Sequence, residues 1–304
     1  MIKILASDGM EKGAIAALEA KGCEVTCEYF DPEALKEAVK QYDVLVVRSA
    51  TKVREPHIDA ALETGKLQLV IRGGVGVDNI DVKYAEEKGI TVRNTPKASS
   101  DAVAELALAH MFSVARFVSI AGHTMREGKW EKKAYKGIEL TGRTVGIVGY
   151  GRIGQALGKR CQALGMKVLA YDIYQNKDLE CNTMRYVEMD ELLANSDIIS
   201  LHVPSLPGQP LINAETIAKM KDGVILINTS RGTNVDEDAL LAALDSGKVY
   251  GAGLDVFAEE PAKNAALYSH PHVSCTPHVG ASTVEAQKRI GQEIVNIISE
   301  KFGL

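Results

Sequence analysis

The chain has 304 residues, 46% apolar and 25% charged, which at roughly 150 residues per domain predicts two domains, each able to bury a core without disulfides or a structural metal. Those proportions exclude a mostly disordered or collagen-like chain. With 35 Lys and Arg against 40 Asp and Glu the net charge is −5, too mildly acidic for a general polyanion binder, so no nucleic-acid partner is expected.

Met1-Ile2-Lys3-Ile4-Leu5-Ala6 opens directly as an apolar strand, without a charged leader and cleavage site. Apolar runs such as Val44 to Val47 are far shorter than the roughly 18 to 20 residues of a membrane span. A cytoplasmic protein with no membrane partner is the expectation. Short apolar runs then alternate with amphipathic stretches: Ile2 to Leu5, Glu11 to Lys21, Val25 to Tyr29, Pro32 to Gln41, Val44 to Val47, Leu67 to Ile71, Val82 to Lys88 and Ile90 to Val92. This is the strand–helix alternation of a parallel sheet, closing one α/β unit near Asn94. Cys23 and Cys27 flank the predicted strand Glu24-Val25-Thr26, which sets their Cα atoms about 13 Å apart at about 3.3 Å per residue, too far to bridge. Both read as apolar side chains on one strand face, and the five scattered cysteines as reduced thiols.

Ser99 to Met125 reads as one nearly continuous apolar helix after the breaker Asn94-Thr95-Pro96, buried on most sides as an inter-domain spine or a subunit interface. After Gly142 the alternation restarts with Thr144 to Val148, Ile153 to Leu164, Val168 to Tyr171, Glu191 to Ala194, Ile198 to Val203, Val224 to Ile227, Ala239 to Leu244 and Gly251 to Val256. A final amphipathic helix, Ser282 to Lys301, is expected to cross back to the first domain.

Val145 to Gly154 is an apolar strand running into Gly-x-Gly-x-x-Gly and a helix. Gly149 permits the tight turn, Gly151 lets backbone approach a pyrophosphate, and Gly154 lets helix and strand pack closely. The pyrophosphate would sit on the helix N-terminus, where unpaired N–H groups and the dipole favour negative charge. The next strand ends in Asp172, about 18 residues past the last glycine, close to the roughly 20 expected of a ribose-binding carboxylate. That carboxylate repels a 2′-phosphate, so NAD is the predicted cofactor.

Arg231, Glu260 and His278 each follow an apolar strand of the second domain, where residues at strand carboxyl ends converge on ligands. Together they suit dehydrogenation of a 2-hydroxy acid: a guanidinium for the carboxylate or carbonyl oxygen, an imidazole for the hydroxyl proton, and a carboxylate that orients the imidazole. His270-Pro271-His272 lacks carboxylate or thiolate company, and no metal site is expected.

The segments Gly149 to Gly154, Asn228-Thr229-Ser230-Arg231-Gly232, Leu254 to Pro261 and Thr276 to Thr283 resemble, in order, the signatures of the D-isomer-specific 2-hydroxyacid dehydrogenases. The resemblance spans nearly the whole chain. It implies that Arg231, Glu260 and His278 are the catalytic three and that Asp255 binds the nicotinamide carboxamide. Arg152, Ile153, His202, Pro204, Thr229 and Gly280 join the expected cofactor contacts on the same ground. The implied fold is α/β with two doubly wound parallel-sheet domains. A Rossmann NAD domain, residues 95–281 with a dimerisation helix near 99–125, is inserted into a smaller flavodoxin-like substrate domain of residues 1–94 and 282–304.

Val47 to Val53, Arg72 to Asp81 and Gly128-Lys129-Trp130-Glu131 are similar to the branch of the family that oxidises 3-phosphoglycerate. Arg48 and Arg72 follow first-domain strands and suit a phosphate, while N–H groups at Gly74, Val75 and Gly76 suit a carboxylate. Either arginine pairing instead with a carboxylate such as Asp78 stays open. Lys132 and Lys133 are candidates to lend positive charge to a neighbouring subunit's site. Many members of that branch continue into a serine-binding regulatory domain, whereas this sequence stops at Leu304, so a short-form homodimer without serine feedback is expected. The expected substrate is thus a phosphorylated 2-hydroxy acid, with hydroxypyruvate or glyoxylate reduction, or non-catalytic NAD(H) sensing, as the alternatives.

Overall fold

The computed structural model describes residues 1–205 and 208–304, which form two compact units, 1–99 with 281–304, and 100–280. The first contains β1 (Lys3–Ala6), α1 (Lys12–Ala20), β2 (Glu24–Thr26), α2 (Pro32–Ala38), β3 (Val44–Val47), α3 (Glu55–Leu62), β4 (Leu69–Arg72), α4 (Val82–Glu87) and β5 (Thr91–Asn94). The second contains α5 (Ser100–Arg116), α6 (Val118–Arg126), β6 (Thr144–Val148), α7 (Arg152–Ala163), β7 (Lys167–Tyr171), β8 (Met184–Tyr186), α8 (Met189–Asn195), β9 (Ile198–Leu201), α9 (Ala214–Lys219), β10 (Val224–Asn228), α10 (Glu237–Asp245), β11 (Val249–Leu254), α11 (Ala265–Tyr268) and β12 (Val273–Cys275). The chain then returns to the first unit as α12 (Val284–Phe302).

The five-stranded sheet has the order β2-β1-β3-β4-β5 and every pairing is parallel, which is the flavodoxin-like order. The seven-stranded sheet runs β12-β11-β10-β9-β6-β7-β8, again all parallel, the Rossmann order extended by one strand. Central strands are buried on both faces and read as unbroken apolar runs, Val-Leu-Val-Val in β3 and Val-Ile-Leu-Ile ahead of the terminal Asn228 in β10. The C-terminal helix α12 is held to the first unit by Ile290, Ile294 and Ile298, one buried stripe at helical spacing. Its Gly291 faces α1 so closely that a Cβ there would fall 2.8 Å from that of Ala14.

Three expectations are corrected. Ser99 to Met125 is two helices, α5 and α6, bent by 67°. The break is Phe117, in the left-handed region at φ 56°, a costly conformation for a bulky residue. Its ring sits among Tyr135, Tyr250 and His272 at centroid distances of 5.9, 6.0 and 5.3 Å. The inserted unit spans 100–280 rather than 95–281, because Ala98 and Ala281 pack into the core of the first. Cys23 is buried but Cys27 is exposed, because β2 ends between them at Thr26. All five cysteines are free thiols. No single helix among the described residues is long and apolar enough to cross a membrane.

Candidate active site

In the second unit the strand order reverses between β6 and β9, and ligands of such sheets bind at the carboxyl ends of the strands on either side of that reversal. Gly149, directly after β6, has φ 89° and lies so close to the residue after β9 that a Cβ would fall 2.6 Å from the His202 carbonyl oxygen. Only glycine fits there. Gly154, inside α7, is equally constrained, with a Cβ meeting the Gly149 carbonyl oxygen at 2.3 Å. Gly151 differs: it caps α7 and no atom lies within 4 Å of its Cβ position. Close backbone contacts thus surround the first and third glycines, and open space surrounds the second, followed by the helix-starting N–H groups of Arg152 and Ile153.

Asp172 lies across this turn. One carboxylate oxygen accepts the Tyr150 N–H at 2.7 Å and the other the Tyr174 N–H at 2.9 Å, leaving lone pairs on both for further donors. Two buried polar atoms at the neighbouring strand ends have no partner among the described residues, His202 Nδ1 after β9 and Thr229 Oγ1 after β10. Burial pushes the His202 imidazole down to about 4, so it is neutral, with Nε2 bonded to Ser200 Oγ at 2.9 Å. The carbonyls of Val203 and Pro204 accept bonds from Asn234 Nδ2, both at 3.2 Å. An open glycine turn on a helix N-terminus, a carboxylate beside it and orphaned polar atoms at adjacent strand ends fit a dinucleotide.

Adjacent strands β10, β11 and β12 bring Arg231, Glu260 and His278 to the same end of the sheet. Asn228, the last residue of β10, folds the chain back on itself: its side-chain oxygen accepts from the Ser230 N–H and hydroxyl, and its Nδ2 donates to the Arg231 carbonyl at 2.8 Å. The turn then packs against the loop after β11, where a Cβ on Gly232 would fall 1.9 Å from the Phe257 carbonyl. Glu260 Oε2 lies 2.7 Å from His278 Nδ1, and Phe257 N–H approaches Oε1 at 3.4 Å. Burial alone would raise the Glu260 carboxyl. The hydrogen bond and charge of His278, with Phe257 N–H and the Arg231 charge behind them, outweigh it and hold the group below its ordinary value. The other ring nitrogen of His278, Nε2, has no partner among the described residues. An imidazole with a carboxylate on one nitrogen and the other open is the arrangement of a general acid–base.

Asp255 is 1% exposed, and its oxygens already accept from Thr276 Oγ1 at 2.6 Å, Val279 N–H at 2.8 Å and Gly280 N–H at 2.8 Å. Its main chain accepts the His278 N–H at 2.8 Å. Asp255 is therefore the clasp of the turn that carries His278, a role the sequence pattern did not show. His278 itself is left-handed, at φ 53°. His270 and His272, set aside above, are occupied locally: His272 N–H donates to His270 Nδ1 and His272 Nδ1 faces the Tyr250 carbonyl.

In the first unit, Arg48 follows β3 and Arg72 ends β4, with Val47 and Arg72 in register. The Arg48 loop is pinned by Asp8, whose carboxylate accepts the N–H groups of Arg48 and Thr51 and the Thr51 hydroxyl, and by Asn79, whose Nδ2 donates to both carbonyls. Neither Asp8 nor Asn79 stood out in the sequence. The Arg72 guanidinium folds over Gly74, where a Cβ would fall 1.4 Å from Nη1. Of the three N–H groups expected at a carboxylate, that of Gly74 is already donated to the Arg72 carbonyl at 2.9 Å, because the chain makes a tight turn there. Those of Val75 and Gly76 have no partner among the described residues.

Residues 108–280 match the family model of the D-isomer specific 2-hydroxyacid dehydrogenase NAD-binding domain. The chain is 48% identical to the hydroxypyruvate reductase of Thermotoga maritima, covering 99% of both chains. It is 45% identical to the D-3-phosphoglycerate dehydrogenase of Methanocaldococcus jannaschii, covering 99% of this chain but 57% of that one. The chain thus spans little more than half the length of that dehydrogenase. Among solved structures, the D-lactate dehydrogenase of Aquifex aeolicus, complexed with NAD and lactic acid, superposes with a TM-score of 0.83 at 31% identity, over 98% of this chain and 94% of that one. Fold, glycine turn and these likenesses agree: the chain belongs to the D-isomer specific 2-hydroxyacid dehydrogenase family and is an NAD-dependent oxidoreductase.

Proposed function

We propose that the chain interconverts 3-phospho-D-glycerate and 3-phosphohydroxypyruvate. The observation that carries this reading is Arg48. Its backbone is fixed by Asp8 and Asn79, its guanidinium has no hydrogen-bond or ion-pair partner among the described residues, and it stands beside Arg72 at the ends of two adjacent strands. An unpartnered guanidinium at the carboxyl end of a strand suits an anionic group additional to the substrate carboxylate. The likeness to the Methanocaldococcus jannaschii dehydrogenase supports the same substrate.

In the oxidative direction His278 takes the C2 hydroxyl proton, and Glu260 stabilises the imidazolium that forms. Arg231 holds the substrate carboxylate and the oxygen that becomes the ketone. Bound NAD supplies the hydride acceptor for the C2 hydrogen. Asp172, Gly151, Arg152, Ile153, His202, Pro204, Thr229 and Gly280 are the residues assigned to holding it. For Asp255, contact with the carboxamide is compatible only through a lone pair left on Oδ2, since Oδ1 already accepts two bonds.

Reduction of hydroxypyruvate is the second reading, favoured by the Thermotoga maritima reductase, which matches end to end. NADH absorbance with phosphohydroxypyruvate, hydroxypyruvate and glyoxylate at matched concentrations separates the two. A kcat/KM at least tenfold higher on the phosphorylated ketone is expected. Equal or better turnover of hydroxypyruvate would transfer the assignment to the second reading, and NADH binding without turnover of any of them would defeat both.

A further inference from the structure

His110 is a 2% exposed histidine in the middle of α5. Its two ring nitrogens meet two hydroxyls of the segment that leads to His278: Nδ1 lies 3.0 Å from Ser274 Oγ and Nε2 lies 3.0 Å from Thr276 Oγ1. The Thr276 hydroxyl has one proton, and it is committed to Asp255 Oδ1 at 2.6 Å, because a carboxylate only accepts. Thr276 Oγ1 therefore receives from His110, which places the proton of the neutral imidazole on Nε2 and makes Nδ1 the acceptor of the Ser274 hydroxyl. Burial holds the ring neutral, at about 4. The chain of donors runs Ser274, His110, Thr276, Asp255, with one proton order throughout. It ends on the carboxylate that clasps Val279 and Gly280 and on the residue whose carbonyl accepts the His278 N–H.

An apolar side chain is what this face of α5 otherwise uses, as at Ala107, Met111 and Val114. A histidine there carries a desolvation cost that the two hydroxyl bonds offset. We propose that His110 is a positioning residue for the hydride-transfer site: its Nε2–H fixes the Thr276 hydroxyl, and through it the Asp255 carboxylate, in the one orientation that holds His278 in its left-handed turn. This rests on the assignment of His278 as the acid–base group. Hydrogen-bonded chains of this kind restrict the rotation of every member, so the effect reaches a residue that His110 does not touch.

The test has one arm that does not involve activity. In protein labelled with 15N-histidine, His110 is expected to show a slowly exchanging proton on Nε2 and an unprotonated Nδ1; a proton on Nδ1 would overturn the inferred order. In the second arm, H110L is expected to lower kcat about tenfold while NADH affinity by fluorescence and KM for the keto acid stay within about twofold. H110Q, which keeps a donor and an acceptor, is expected to recover most of that loss. Unchanged kcat in a folded H110L, or equal damage in both variants, would show that only packing matters. If H110L does not fold, T276V removes the same link without touching α5, and unchanged kcat there would overturn the proposal. H278A, measured in parallel, separates the two claims: an active H278A defeats the acid–base assignment whatever the His110 variants do.

Discussion

The carboxylate of Asp172 accepts the backbone N–H of Tyr150 at 2.7 Å, so the residue at the end of β7 also shapes the glycine turn after β6. With Asp172 proposed as the ribose-binding carboxylate, cofactor selection and turn geometry would be joined in one side chain. Replacing this carboxylate would also remove an acceptor from the glycine turn proposed to seat the pyrophosphate.

The expected outcome is that Asp172→Ala weakens NADH binding at least tenfold without giving comparable affinity for NADPH. Asp172→Asn, which keeps an acceptor for Tyr150, should lose less NADH affinity than the alanine variant. Fluorescence titration with both nucleotides measures this. An alanine variant that simply exchanged one cofactor for the other would show that the Tyr150 bond is dispensable.

The 2.7 Å contact between His278 and Glu260 sets the second prediction. His278→Ala should lower kcat by about 10³ with NADH affinity nearly unchanged, since general acid–base catalysis contributes roughly 10² to 10⁴. Glu260→Gln keeps a hydrogen bond but not the charge that stabilises imidazolium, and is expected to lose less. Parallel loss of turnover and NADH affinity in His278→Ala would make the residue structural.

Both sheets were legible in the sequence because parallel strands buried on two faces are short apolar runs, such as the four-residue Val-Leu-Val-Val of β3 and Val-Ile-Leu-Ile of β10. The short elements α3, β8 and α9 left no such trace. Phe117 was invisible for a different reason: the residue at the break packs its ring against Tyr135, Tyr250 and His272, partners distant in sequence, and no glycine or proline marks it. The site divides the same way. Glycines and charged residues at strand ends announce themselves by spacing. The residues that hold them, Asn228 beneath Arg231, Asp8 and Asn79 beneath Arg48, and Asp255 beneath His278, act through backbone contacts that carry no sequence period.

Arg48 is the point at which the substrate assignment can fail alone. Arg48→Ala should raise KM for phosphohydroxypyruvate about tenfold or more and leave KM for hydroxypyruvate within about twofold, since the backbone bonds from Asp8 and Asn79 survive the truncation. Steady-state kinetics on both ketones decide it. An unchanged constant for the phosphorylated substrate would remove Arg48 from phosphate recognition.

Two buried histidines make stability depend on pH in a defined window. Burial lowers His110 and His202 to about 4 each from an ordinary 6.5. Between those values the unfolded chain binds protons that the folded chain does not, so stability is complete above about pH 6.5 and falls as the pH drops towards 4. The slope is about 1.4 kcal/mol per pH unit for each histidine within the window. Asp255, raised by burial against the pull of Thr276, Val279 and Gly280, works the other way at the acid end, because it retains a proton that the unfolded chain has lost. Urea unfolding at a series of pH values between 5 and 6.5 should therefore show a steep dependence that His110→Gln flattens by about one proton. A variant with the full wild-type slope would mean that His110 is charged in the folded protein, which is incompatible with its accepting the Ser274 hydroxyl at Nδ1.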